Sequence, residues 1–304
     1  MQPDFGILTH NVVSMRGTPV GDSEQVSQAL LGEVVEWLDE RDGYVLVETE
    51  DAYRGWVWRK HLRPYILSAS SAHFPLDEYP EDAHIVTALF ADVNAAAESD
   101  TNAYPAGTKL VFGTCGRVVP DIQSKDGSVI IEIPHGTGLN GQAAETVRVS
   151  ISAARVQRLP ERRIDAVPVL DQIEACKLAR RFLGVPYLWG GGTPFGFDCS
   201  GFVQRIYKTF GIILPRDAHL QAESRLGTKI DENEPNAPIA AGDLVFFSGQ
   251  QDPRKRGITH VGMALNTNFF IHALGRDGVV ITRFDAPDHR SRYVYRGAWR
   301  YCRT

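Results

Sequence analysis

The sequence predicts a multidomain chain in which two small all-β barrels precede an α+β domain. Three observations carry that reading. Residues 1–160 consist mostly of short strand-type runs separated by turns, helical periodicity begins after about residue 165, and four strand-like runs follow two helices. At about 150 residues per domain, 304 residues allow two domains or three small ones.

The first barrel rests on VVSMRG, GEVVEWLDE, YVLVETE and GWVWRKHL, with Asp42-Gly43 supplying a tight turn between two of them. SASSAHFPLDEYP is a Ser- and Pro-containing connector, after which KLVFGTC, SVIIEIP and TVRVSISAARV alternate with Gly-rich turns. In DQIEACKLARRFLG, Ile173, Cys176, Ala179, Phe182 and Leu183 form one helical stripe, stopped by Gly184 and Pro186. A second helix runs from Cys199 to about Phe210 and ends at Gly211; DLVFFSG, HVGMALN, FFIHAL and GVVITRF are the strands beyond.

Composition excludes several classes of function. With 32 basic against 37 acidic residues, the net charge of −5 gives no reason to expect a nucleic-acid partner. No apolar run reaches the roughly 18 residues of a membrane span, so no membrane partner is expected. The start, MQPDFGILTH, lacks a basic n-region and an apolar h-region, so a cytoplasmic location is expected; a removed leader would make it periplasmic or extracellular.

Four scattered cysteines, Cys115, Cys176, Cys199 and Cys302, make no disulfide framework and no C-x-x-C metal pair. Three read as small buried hydrophobes or terminal residues. Cys199 differs. Gly190 to Gly192 permit close turns before it, and Asp198 can cap the helix that it opens. A thiol in the first turn meets unpaired N–H groups and the positive end of the helix dipole, which favour the thiolate. A buried cysteine in a core helix is the plainer alternative.

A thiol nucleophile needs a base. HVGMALNTNFFIHAL reads as a hairpin, and a three-residue loop at Asn266-Thr267-Asn268 sets Gly262 opposite His272 and His260 opposite Leu274. His260 and His272 then share one sheet face as diagonal neighbours, roughly 7–8 Å apart. A two-residue loop would put them on opposite faces. The other seven histidines, His289 among them, read as surface or satisfied core residues. A zinc site built from Cys199 and the two histidines matches no standard ligand spacing.

These residues fall into an ordered series: Tyr187-Leu188-Trp189-Gly190-Gly191, Asp198-Cys199-Ser200-Gly201-Phe202, Leu214-Pro215-Arg216 with Gln221, Gly242 to Phe247, His260-Val261-Gly262 and His272-Ala273. The series resembles the NlpC/P60 cysteine peptidases of bacterial cell wall, whose catalytic domain is papain-like. Arg16, GEVVEWLDERDGYVLVETE and AYRGWVWRKHL resemble bacterial SH3 (SH3b) domains, and the second β unit fits that pattern more loosely. The resemblance decides for three domains, at 1–65, 80–162 and 165–304. The combination is similar to γ-D-glutamyl-L-diamino-acid endopeptidases of the dipeptidyl-peptidase VI type.

The resemblance implies Cys199 as nucleophile, His260 as base and His272 as the residue that orients it. It also implies Tyr187 beside the nucleophile, with Asp198 and Ser200 holding the substrate's free amino end, unless Asp198 is only the helix cap. Tyr53, before Gly55-Trp56, would close that amino end, or be an ordinary loop tyrosine. The implied substrate is a muropeptide, L-Ala-γ-D-Glu-diamino acid, cleaved to release L-Ala-D-Glu in murein peptide recycling. No metal or organic cofactor is implied. Other readings are an exported wall hydrolase anchored by its SH3b pair, a catalytically silent SH3b binding protein, and a thiol acyltransferase on the same fold.

Overall fold

A computed structural model describes residues 3–65, 83–94, 108–119, 127–136, 145–160, 170–230, 238–249, 257–290 and 292–301. The connector expected at 66–80, and Cys302, lie outside them. The chain divides into two compact units, Met1–Glu161 and Arg162–Thr304.

Among the described residues, the first unit is built from strands. β1 (Phe5–Leu8), β2 (Val12–Arg16), β3 (Gln25–Leu30), β4 (Val34–Arg41), β5 (Tyr44–Glu48), β6 (Arg54–Trp58) and β7 (Leu62–Tyr65) form one antiparallel sheet in the order β3-β2-β6-β5-β4-β1-β7. Alternation in β2 and β5 buries every second residue, and Val13, Met15, Val45, Val47 and Val57 share one core. Asp42 and Gly43 both take positive φ, 53° and 75°, between the paired Arg41 and Tyr44, as a two-residue hairpin turn requires. β1, β3 and β7 are additions to the strands expected from sequence.

The same unit holds β8 (Ala83–Val86), β9 (Phe90–Asp92), β10 (Lys109–Val111), β11 (Cys115–Val118), β12 (Ser128–Gly136), β13 (Glu145–Ser152) and β14 (Val156–Arg158). Five of them make a sheet in the order β13-β12-β11-β8-β14, and β9 pairs with β10. Leu31, next to β3, joins this second core beside Ile131, Ile133 and Val149. Gly32 makes that join possible at φ 78°, where a Cβ would stand 2.5 Å from Ile133 Cγ2.

The second unit is α+β. Its helices are α1 (Gln172–Arg180), α2 (Cys199–Thr209), α3 (Ala218–Glu223) and α4 (Pro287–Arg290). Two short strands, β15 (Gly192–Thr193) and β16 (Gly196–Phe197), pair with each other before α2. The main sheet contains β17 (Thr228–Lys229), β18 (Leu244–Gly249), β19 (His260–Ala264), β20 (Phe269–Leu274), β21 (Gly278–Arg283) and β22 (Tyr293–Arg300), in the order β17-β22-β18-β19-β20-β21. Asp171 caps α1 by accepting from the N–H groups of Ile173 and Glu174, and Gly184 stops the segment at φ 82°. Of the expected stripe, Cys176, Ala179 and Phe182 are buried while Ile173 and Leu183 are exposed, and α1 also buries Ala175 and Leu178. Cys176 faces the sheet, its Sγ 3.6 Å from the Ala264 carbonyl.

α2 carries the nucleophile candidate, and its packing explains why it starts where it does. Phe202, Val203 and Ile206 are fully buried, and the rings of Phe182, Phe197 and Phe202 meet edge to face at 5.4–6.2 Å. Burying each such side chain stabilises the unit by about 1.5–3 kcal/mol. Among the described residues, no helix is long and apolar enough to cross a membrane.

Candidate active site

Asp198 sits at the N-cap of α2, its Oδ1 accepting from the Gly201 N–H at 2.7 Å, so Cys199 is the first helical residue. The glycines around it are required by close approach. A Cβ on Gly201 would lie 2.2 Å from the Gly191 carbonyl oxygen, and one on Gly191 would lie 2.4 Å from that of Gly196. Backbone therefore packs directly on backbone, and the helix start is seated against the glycine loop. Cys199 is 9% exposed, and the backbone N–H groups of Val261 and Ser200 bear on its sulfur.

The hairpin register matches the three-residue loop, with Met263 paired to Ile271 and Ala264 to Phe270. His260 and His272 accordingly meet on one face, with His260 Nε2 2.7 Å from His272 Nδ1. His272 Nε2 is 2.9 Å from Thr282 Oγ1 on β21, which the sequence reading did not single out. Gly262 lies between the histidines in sequence, and a Cβ there would press on Phe270 and on the Cβ of His272.

These distances fit two opposite arrangements of protons, and one of them leaves His260 able to act as a base. For His260 Nδ1 to accept a proton, Nε2 must carry one and donate it to His272 Nδ1. His272 then carries its own proton on Nε2 and donates it to Thr282 Oγ1. Thr282 is thus the outer anchor of an imidazole pair held ready to take a proton at His260 Nδ1.

Burial governs the charges here. Desolvation, helped by the Asp198 carboxylate, pushes the Cys199 thiol up to about 12, against the opposing pull of the Val261 N–H, Arg216 and the Ser200 N–H. Desolvation, with His289 adding to it, holds His260 down at about 3, and His272 is also held well below the ordinary histidine value. Both shifts favour the neutral forms, thiol and imidazole. The helix start and the backbone donors favour the thiolate, and loss of water opposes it. Tyr187 is partly buried, and its hydroxyl is held in the protonated form by burial and by Cys199.

Asp198 and Ser200 are tied to Arg216. Arg216 Nη1 donates to Asp198 Oδ1 at 3.1 Å and to Ser200 Oγ at 3.0 Å, and Nη2 donates to Asp198 Oδ2 at 2.6 Å. Both groups assigned by resemblance to an incoming ammonium are thus engaged by a guanidinium. Of the two readings held open for Asp198, the helix cap is the one that this geometry fills. Gln221 supports the same turn, donating to the carbonyls of Ser200 and Pro215. Tyr53 belongs to the first unit, where it packs partly buried on the core around Trp37 and Val57.

Two further residues adjoin the pair, and neither was marked as functional from sequence. The Tyr293 ring stacks on His260 at 4.7 Å and 28°, and its hydroxyl is also electrostatically coupled to Cys199. His289, on the four-residue α4, also stacks on Tyr293, at 4.8 Å and 24°, with its ring 6.4 Å from that of His260. Their segment, PDHRSRY, is polar and offers no periodicity that would reveal burial; only the fold brings it to the sheet. Chemically, a buried thiol beside a hydrogen-bonded imidazole pair can carry out acyl transfer through a thioester.

Both units are similar to known proteins. Residues 184–298 match the NlpC/P60 family, and residues 11–63 match the bacterial SH3 domain. A gamma-D-glutamyl-L-lysine dipeptidyl-peptidase of Bacillus cereus is 27% identical over 292 residues, covering 90% of this chain and 74% of the relative. The protein of that name from Bacillus subtilis is 40% identical over 116 residues, 37% of this chain and 36% of the relative. The crystal structure of an NlpC/P60 family protein from Bacillus cereus superposes with a TM-score of 0.74 at 21% identity, covering 98% of this chain and all of that one.

Proposed function

We propose, from the premise that this chain carries an NlpC/P60 domain together with a bacterial SH3 domain, that it is a thiol peptidase cleaving the γ-D-Glu–diamino acid bond of peptidoglycan stem peptides. NlpC/P60 peptidases are cysteine hydrolases that act on peptidoglycan. The observation that carries the thiol-peptidase reading is the bonded series His260–His272–Thr282 beside a helix-opening cysteine, and the bond specificity is supported by the names of the Bacillus relatives.

The chemistry follows from the tautomer. His260 Nδ1 takes the thiol proton as Cys199 Sγ bonds to the γ-carbonyl carbon of D-Glu, and His272 stabilises the imidazolium that forms. The oxyanion accepts from a backbone N–H at the start of α2, that of Cys199 itself. Collapse breaks the C–N bond, and His260 returns its proton to the leaving amine of the diamino acid. Water then adds to the thioester with His260 again as base, releasing L-Ala-D-Glu and restoring the thiol. With the thiol raised and the imidazole depressed, proton transfer to His260 accompanies formation of the C–S bond and does not precede it. Tyr187 flanks the reacting carbonyl, and Asp198, Ser200 and Arg216 fix the backbone that presents Cys199.

The name dipeptidyl-peptidase, borne by the two Bacillus relatives, supports a preference for stems with a free amino end. Such stems are released fragments, and the reading places the protein in recycling, in the cytoplasm. The test is product analysis: L-Ala-γ-D-Glu-L-Lys or its diaminopimelate counterpart should yield L-Ala-D-Glu, while intact sacculi should release nothing. Solubilised stems from sacculi with no cleavage of the free tripeptide would assign wall remodelling instead.

A further inference from the structure

The second unit brings a third imidazole to the pair. His260, His272 and His289 are 4%, 0% and 6% exposed, and one ligating nitrogen from each lies within 4.8 Å of the others. They arrive from three elements, β19, β20 and α4, and are boxed by Phe247, Phe270 and Tyr293, whose rings lie 4.8–5.1 Å from His289. The mechanism uses two of these imidazoles and leaves His289 without a task. His289 Nε2 is buried and has no hydrogen-bond partner, an arrangement that costs about 1–3 kcal/mol unless something occupies the lone pair or the proton.

We propose that His260, His272 and His289 form a binding site for a divalent transition-metal cation of the zinc type, and that its occupation switches the peptidase off. Three neutral imidazoles offering nitrogen lone pairs suit zinc, copper or nickel and not magnesium or calcium. Thr282 completes the outer layer: with the His272 proton donated from Nε2 to Thr282 Oγ1, His272 Nδ1 faces the cluster as a lone pair. Zinc–nitrogen bonds of about 2.0–2.1 Å in a tetrahedral set place ligand nitrogens about 3.3 Å apart. The His260–His272 pair at 2.7 Å would open by about 0.6 Å to admit the ion, and His289 would close on it.

Inhibition follows from proton bookkeeping in the same rings. To ligate through Nε2, His260 must move its proton from Nε2 to Nδ1, with none gained or lost by the protein. Nδ1 is the atom that accepts the thiol proton during catalysis, so the ligated ring can no longer act as base. His272 is likewise withdrawn from orienting it. The inhibitory half of the proposal rests on the peptidase reading; the binding half does not.

The test therefore measures binding first, on the full chain carrying Cys199→Ala, so that the thiol cannot serve as a ligand. Zinc titration followed by imidazole 15N resonances should move those of His260, His272 and His289 together, and Co2+ should give a tetrahedral absorption spectrum. His289→Phe and His289→Gln should each weaken Zn2+ binding at least about tenfold, the loss caused by removing even an outer partner of a metal ligand. In the Cys199 protein, the same substitutions should raise the zinc concentration for half-inhibition by a similar factor. Binding that vanishes with Cys199→Ala would locate the metal on the thiol and His260, and would overturn the proposal. So would resonances of His289 that stay fixed. Tight zinc binding in a protein that cleaves no stem peptide would leave the metal site standing and remove the peptidase reading.

Discussion

Acidification from pH 6.5 to pH 5 is expected to destabilise the C-terminal unit by about 5 kcal/mol, because each of three buried histidines loses about 1.6 kcal/mol over an interval that starts at half-protonation of the unfolded chain. The sign follows from which state binds the proton. Burial first, with neighbouring positive charge adding to it, holds His260 at about 3, His289 at about 4 and His272 well below the ordinary value. The unfolded chain binds protons near pH 6.5 that the native unit refuses. The contribution is thus fully present above pH 6.5 and is lost as pH falls toward the folded values. A loss of this size is comparable with the whole stability of a typical domain, about 5–15 kcal/mol. His10 and His61 of the first unit are shifted down as well, but their rings remain partly exposed and their effect is smaller. Calorimetric scans between pH 7.5 and pH 5 should show one transition falling steeply, with an uptake of nearly three protons on unfolding. His289→Phe should reduce that uptake by one. A transition temperature independent of pH across this range would show that the three imidazoles are hydrated or charged in the folded protein.

The second large effect is expected from Arg216→Met, which should cost about 3–5 kcal/mol, the usual consequence of stripping one partner from a buried ion pair. Arg216 is 2% exposed and spends two nitrogens on Asp198 and Ser200. Its removal leaves the Asp198 carboxylate uncompensated next to Cys199. That carboxylate already works against ionisation of the thiol, so activity should fall further than stability alone explains. Asp198→Asn combined with Arg216→Met removes the orphaned charge and should recover part of the stability, because the amide still offers an oxygen to the Gly201 N–H. Thermal melts of the single and double variants check this. A double variant less stable than Arg216→Met alone would contradict the role given to the charge.

The site divides into what local patterns encode and what only the tertiary fold assembles. The cap at Asp198, the glycine stop at Gly211 and the pairing of His260 with His272 all depend on short-range rules: capping geometry, positive φ and the period of two in a hairpin. Those were legible. The Asp198–Arg216 pair joins residues 18 apart in sequence, across a turn whose path no local rule dictates. β22 was missed because YVYRGAWR mixes charge with aromatics, and the register shift opposite Phe246/Phe247 breaks its alternation. With it went Tyr293, and His289 in the polar segment just before. β3 escaped for a similar reason: QVSQAL looks half polar, yet Ser27 and Gln28 are buried. In α1 the stripe holds at Cys176, Ala179 and Phe182 and fails at its two ends, where Ile173 and Leu183 are exposed.

Cys199, with His260 as its base, should cleave only stem peptides that keep a free amino end. Mass spectrometry of two substrates tests it most directly: L-Ala-γ-D-Glu-L-Lys and the same peptide acetylated on the alanine nitrogen, each incubated with the native protein and with Cys199→Ala. L-Ala-D-Glu should appear from the free peptide with the native protein and from none of the other three incubations. Equal turnover of both peptides would contradict the amino-end requirement, and product formed by Cys199→Ala would contradict the thiol mechanism itself.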